Sequence, residues 1–253
     1  MSRTTLTSQE NTAIVDKYKN EFCQEVEEIL KDVFPKKIIE LDKLYKSDQL
    51  KLSRAEEVKE AAKASLKDVI AQKEATSIPP AAKRKRNASS SIENGDDTKK
   101  EIRFSTKVSC NPVVTELIGF LKPEIRELIE YCNKIKMWIQ LLIPKIEDGN
   151  NFGVSIQEET ISEVSTFCEF AKGSFDDMSR YFVTRGKVSS KIVKYPHLED
   201  YVKYLTELDE KQFLHIRVFT NELKMIYCCM FDIINKNLEK IKQPRSQMSS
   251  NLY

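Results

Sequence analysis

The sequence has few residues that break helices: six glycines and eight prolines in 253 positions. That scarcity excludes collagen-like repeats and the Pro/Gly-rich composition of low-complexity chains. Histidine is scarcer still, with only His197 and His215. No HExxH spacing surrounds either, so both read as surface or interface residues, not zinc ligands or general bases. Charge of one sign is absent too. Lys+Arg (41) and Asp+Glu (39) nearly cancel, which suits helices with mixed-charge outer faces and does not point to nucleic acid. No apolar run approaches the roughly 18 residues of a membrane span, and MSRTTLTSQENTA lacks the apolar core of a secretory signal.

Catalytic signatures are equally missing. There is no GxxxxGK phosphate loop, and no GxGxxG follows a strand. The six cysteines (23, 110, 132, 168, 228, 229) show no paired spacing and read as reduced, buried thiols of a cytosolic or nuclear protein. Adjacent Cys228 and Cys229 suit neither a CxxC redox pair nor a zinc knuckle, and the adjacent acids Glu147 and Asp148 read as a solvated turn. The expectation is a non-enzymatic protein with no catalytic residues, metal or cofactor, acting by docking onto a partner.

What is present is helical periodicity. Ile14, Tyr18, Phe22, Val26, Ile29 and Val33 draw one apolar stripe. Pro35 predicts a kink or break, with a short amphipathic continuation through Ile38, Leu41 and Leu44. Residues 53–75 begin with a Ser53/Glu56 capping box and are Ala/Lys/Glu-rich, so they are helix-prone but should pack weakly. Residues 76–107, with Pro79-Pro80 and Asn-Gly-Asp-Asp, have the composition of a linker. Asn111-Pro112 predicts an N-cap with proline at the first helical position. The stripe Leu117, Leu121, Ile125, Leu128, Cys132, Ile135, Ile139 and Leu142 follows, with Trp138 in the core and a kink at Pro123. A third helix should start at a Ser155/Glu158 capping box, carry Ile161, Val164, Cys168, Ala171, Phe175, Met178 and Phe182, and loosen at Gly186-Lys187. The last runs from about Leu198 to Ile241. There Phe213, Val218, Tyr227 and Phe231 lie off the main stripe, which predicts a second buried face, most simply against another subunit.

These elements give three regions: 1–46, an N-terminal helix; 47–107, a low-order insert; and 108–253, helices two to four. The expected fold is all-α, an up-down-up-down bundle of four long helices. Alternation then puts the loop 145–154 and the C-terminal tail at one end, with the insert and the 187–196 connection at the other. Within the insert, Lys83, Arg84, Lys85 and Arg86 read as a nuclear-import signal in a Ser/Pro-rich context. The expected compartment is the nucleus, with the cytosol as the second. The residues alone leave open a helical nuclear scaffold that binds through this basic linker.

The stretch KPEIRELIEYCNKIKMWIQLLIPKIEDGNNFGVSIQEET (122–160) carries a more specific signal. Its centre, IEDGNNFGVSIQEE, resembles the activation loop of the 11S (REG) proteasome activators. FPKKIIELD (34–42), SRYFVTRGKVSSKIVKYPHLEDY (179–201) and the tail LEKIKQPRS…LY extend the similarity over all four helices. The basic signal and the -LY ending are closest to the gamma type, while the Ala/Lys/Glu-rich 48–105 departs from it. The resemblance implies a subunit of a ring-shaped homo-oligomer, a heptamer, that binds the end rings of the 20S proteasome core. It implies ATP-independent gate opening, with the loop Glu147, Asp148, Gly149, Asn150, Asn151, Phe152 and Gly153 touching the gate and Asn151 as the critical position. Asn251, Leu252 and Tyr253 would dock between core subunits.

Overall fold

The computed structural model describes residues 8–67, 69, 107–146, 149 and 151–245. Among them there is no strand, and no helix is long and apolar enough to cross a membrane. The helices are α1 (Ser8–Glu28), α2 (Phe34–Lys46), α3 (Arg54–Ala64), α4 (Pro112–Leu142), α5 (Phe152–Lys194) and α6 (Glu199–Lys242). At 43 and 44 residues, α5 and α6 each extend about 65 Å at the usual helical rise.

Pro35 does not break the first arm. A π-helical turn, Ile29–Val33, joins α1 to α2, and the Phe34 N–H bonds the Ile29 carbonyl five residues back. That widened turn accommodates a proline ring, which would otherwise press on the carbonyl of residue 31. Pro123 likewise lies inside an unbroken α4. Leu121 and Ile125 on either side of it are fully buried, so core packing offsets the one missing helical hydrogen bond. The third helix does not loosen at Gly186-Lys187. It continues to Lys194 and leaves only residues 195–198 as the connection, because Arg185, Val188, Ser189 and Ile192 are buried.

The arrangement is antiparallel. Glu25 pairs with Lys134 at 2.8 Å and Lys37 with Glu124 at 2.8 Å, so α1–α2 and α4 run in opposite senses. α4 packs on α1 and α5, and α5 packs on α4 and α6. α6 packs additionally on α2 and α3. Lys224 reaches Asp42 at 3.1 Å, Arg217 bonds the Leu50 carbonyl and covers the Tyr45 ring at 4.4 Å, and Lys59 meets Glu210 at 2.9 Å.

That continuous contact corrects two expectations. The segment expected to pack weakly is held closely, with Val58, Ala62 and Leu66 fully buried. The second face of α6 is largely covered by its own chain. Phe213 and Tyr227 are fully buried, and Tyr227 meets Phe34 edge-on at 4.9 Å. Only Val218 of the four off-stripe residues is clearly exposed. One main core runs between the helices, around Trp138, Phe219 and Leu128. A smaller cluster of Ala62, Leu66, Val69, Val188, Ile192 and Leu205 closes the end where the insert leaves and returns.

Neither expected capping box forms. Ser53 and Asn151 are the N-caps of α3 and α5, and neither side chain caps its helix. Ser155 lies inside α5, which begins one turn earlier than predicted. Asn111 does cap α4 as expected, accepting from the Val114 N–H. The thiols are less uniformly buried than expected: Cys132 and Cys168 are, but Cys110 and Cys229 are exposed.

Candidate docking site at one pole of the bundle

Three helix ends meet at the pole opposite the insert: the last turns of α4 and α6 and the first of α5. Helix C-termini leave orphan carbonyls that need donors. The fully buried Gln157 supplies them, its Nε2 donating to the Leu142 carbonyl at 3.1 Å and to that of Ile241 at 2.7 Å. One amide thus closes the ends of both α4 and α6.

The chain leaving α6 then lies across the start of α5. A Cβ on Gly153 would collide with the backbone of Pro244, so only glycine allows this approach. Arg245 follows, its Nη1 donating to the Lys145 carbonyl at 2.9 Å and its Nη2 to Asn151 Oδ1 at 3.0 Å. A cation just beyond the α6 C-terminus also suits the helix dipole. Asn151 is held from the other side, its carbonyl accepting from the Ser155 N–H at 3.0 Å. Gly149 has φ +90°, the left-handed region that favours glycine.

Beside this staple three large apolar side chains are open to solvent. Ile146 is wholly exposed and Phe152 is 69% exposed, with Ile143 beside them. Large apolar side chains this open at one pole make it a candidate contact surface. Lys242, near the same end, pairs with Glu27 at 2.7 Å and ties α1 to it.

Of the residues predicted from sequence, Gly149, Asn151, Phe152 and Gly153 lie here. Glu147, Asp148 and Asn150 of the loop fall outside the described residues, as do Asn251–Tyr253 and Lys83–Arg86. Sequence reasoning missed Gln157 and Arg245. Gln157 carried a signal, because it shares a helical line with Gly153, Val164, Cys168 and Ala171, all core-facing.

The opposite end carries a second polar constellation that the apolar stripes gave no reason to expect. Asp209, fully buried, accepts from the Tyr181 hydroxyl at 2.8 Å, from Arg185 Nε at 3.0 Å and from Asn111 Nδ2 at 2.9 Å. Arg185 also bonds the Ser109 carbonyl and Ser65 Oγ, and Asn111 reaches the Val58 carbonyl. Burial, then the Asp209 charge, pushes the Tyr181 hydroxyl pKa up. Both carboxylate oxygens are occupied, and through Asn111 and Arg185 the cluster ties α3 to α4, α5 and α6, so it serves the fold. Among the described residues no group of His, Cys, Asp or Glu could hold a metal.

The described residues define an all-helical bundle in which the chain leaving the last helix is stapled to the loop before α5. Comparison with known proteins gives the family. The model of the proteasome activator PA28 C-terminal domain matches residues 107–251, and that of the N-terminal domain matches residues 9–64. Proteasome activator complex subunit 3 from Homo sapiens is 40% identical over 240 residues, covering 94% of each chain, and the Gallus gallus protein of that name is equally similar. The 11S subunit of the Plasmodium falciparum proteasome, PA28, superposes with a TM-score of 0.70 at 28% identity, over 97% of this chain and 100% of that one. Trypanosome PA26, solved in complex with the yeast 20S proteasome, shares the fold with a TM-score of 0.54 at 14% identity, over 94% and 98%. The chain belongs to the 11S (REG), or PA28, proteasome activator family, of the gamma type, and that family is regulatory, not enzymatic.

Proposed function

We propose that the protein is an ATP-independent activator of the 20S proteasome, in which C-terminal tails dock on the core's end ring and the loop 145–154 opens the substrate gate. The observation that carries this reading is the joining of the α6 exit to the loop at one pole, through Arg245–Asn151 and Pro244–Gly153. The names of the relatives, and a structural neighbour solved on a 20S core, agree with it. One tail ending in Asn251-Leu252-Tyr253 offers a small apolar anchor and a carboxylate. It loses about 1–2 kcal/mol of chain entropy per backbone residue ordered, so a single tail binds weakly. Several tails on one ring raise avidity by a factor on the order of 10² or more. A preformed loop shifts a mobile gate by contacting only its open state. Tails supply affinity and loops supply the gate shift.

The reading includes assembly into a homo-oligomeric ring, a heptamer. Residues 11–20 of α1 are exposed throughout, including Ile14 and Tyr18 of its apolar stripe, and a solvated helix that short is marginal by itself. Phe170, Val218 and Met225 are exposed on the α5–α6 side. Two different apolar surfaces on one subunit suit the head-to-tail contacts that close a ring. Lys83–Arg86 would direct the assembly to the nucleus.

The test is fluorogenic-peptide hydrolysis by purified 20S core with and without the protein, beside a variant lacking residues 251–253 and one with Asn151→Tyr. Loss of the tail should abolish binding. The loop change should leave binding and remove stimulation. Normal stimulation by both variants would overturn these roles.

A further inference from the structure

The bonds of Arg245 tie the root of the docking tail to the gating loop, and nothing in the reading above assigns that link a role. Its guanidinium fork is planar and rigid, able to fix two acceptors at once where a lysine could hold one. One acceptor, the Lys145 carbonyl, opens the loop 145–154, and the other, Asn151 Oδ1, belongs to its last residue before α5. Behind the fork, the Pro244 backbone occupies the space over Gly153. Below it, Gln157 fastens the ends of α4 and α6 together. The residue after Pro244 therefore holds both limbs of the loop while lying in the segment that leads to the tail.

We propose that Arg245 is the positioning residue that couples tail docking to loop posture: its two hydrogen bonds make the tail root and the loop one body, so that engagement of the tail sets the position of Asn151 over the gate. The proposal rests on the tail-and-loop reading above. Without the staple, the tail would still reach its pocket, since docking needs only the terminal residues and a connecting chain. The loop would then sample several positions, and only a fraction of bound rings would hold it in the productive one. In such a case the maximal effect falls while affinity changes little.

The experiment compares wild type, Arg245→Ala, Arg245→Lys, Asn151→Ala and the Arg245→Ala/Asn151→Ala double variant. Each is titrated onto 20S core, and half-saturating concentration is separated from maximal stimulation. For Arg245→Ala the maximum should fall about 10-fold, within the usual span of coupling between sites, with half-saturation moved by no more than about 3-fold. Arg245→Lys, which keeps the charge and one bond, should recover part of the maximum. The double variant should be no worse than the poorer single one, because both act through one contact. A second measurement needs no proteasome: hydrogen exchange at the amides of residues 151–155 should accelerate in Arg245→Ala and not in the tail deletion.

A normal maximum for Arg245→Ala overturns the proposal. So does a maximum restored at higher concentration, which would make Arg245 a docking contact, and so does unchanged exchange in the loop. Wild-type protein that fails to stimulate the core defeats the proposed function instead, and the exchange measurement then decides whether Arg245 holds the loop.

Discussion

The backbone of Pro244 fills the space that a Cβ on residue 153 would need, so the path of the chain leaving the last helix is set by the absence of a side chain on α5. Gly153→Ala should push the Pro244 segment away. Overpacking of this kind costs about 1–3 kcal/mol, most of it local, because the core of the bundle lies further along the helices. Urea unfolding should register the modest loss, while stimulation of peptide hydrolysis falls more steeply than stability. A variant with full stimulation would mean that the tail root tolerates displacement.

The buried pair of Arg185 and Asp209, 3.0 Å apart and almost without solvent exposure, is a second sensitive place. Asp209→Ala leaves a guanidinium buried without its counter-charge and removes acceptors from Tyr181 and Asn111. Breaking a buried pair from one side costs about 3–5 kcal/mol. Replacing both partners with apolar residues, as in Arg185→Met/Asp209→Leu, should restore much of that loss. Urea midpoints at fixed protein concentration provide the comparison, since assembly shifts apparent stability. Equal losses in the single and double variants would show that the hydrogen bonds to Ser109, Ser65 and Val58 matter more than the charges.

Alkaline pH should loosen the bundle. Burial, with a contribution from neighbouring Cys168, pushes the Cys132 thiol up from 9.0 to about 12. Burial also raises Tyr227, and Tyr181 beside Asp209, above the ordinary 10.0. Between its unfolded and folded pKa, each such group binds more protons folded than unfolded, so stability falls as pH rises through that interval. The stabilising contribution is therefore complete below about pH 9 and is lost progressively above it. Unfolding followed from pH 7 to 11 should show a decline setting in near pH 9, shallower there in Cys132→Ala, where burial still raises the Cys23 and Cys228 thiols and the tyrosines take over near pH 10. A flat profile across that range would contradict the burial of these groups.

The legibility of the site was uneven for physical reasons. Gly149, Asn151, Phe152 and Gly153 stood out because turn chemistry and a family-like run are local, visible within a few residues. Gln157 and Arg245 did not, since the partners of Gln157 lie 15 and 84 positions away and those of Arg245 lie 94 and 100 away. A glutamine or arginine in sequence carries no mark of whether it ends in solvent or closes a helix. The capping boxes failed in the opposite direction. Ser53/Glu56 and Ser155/Glu158 have the right spacing, yet tertiary packing began one helix a turn early and turned Arg54 toward Glu57.

Periodicity determined the helices, because burying a stripe every three to four residues is the only way such a pattern removes its apolar area from water. It placed α4 and α6 almost to the residue, and alternation of the helices implied that the loop and the chain end share a pole. Tertiary structure decided what covers each stripe. It gave the second face of α6 to α2 and α3, left residues 11–20 of α1 bare, and let the long helices run through Pro123 and Gly186. Those outcomes depend on which elements meet at a given height of the bundle, and that is a property of the packed chain, not of any segment read alone.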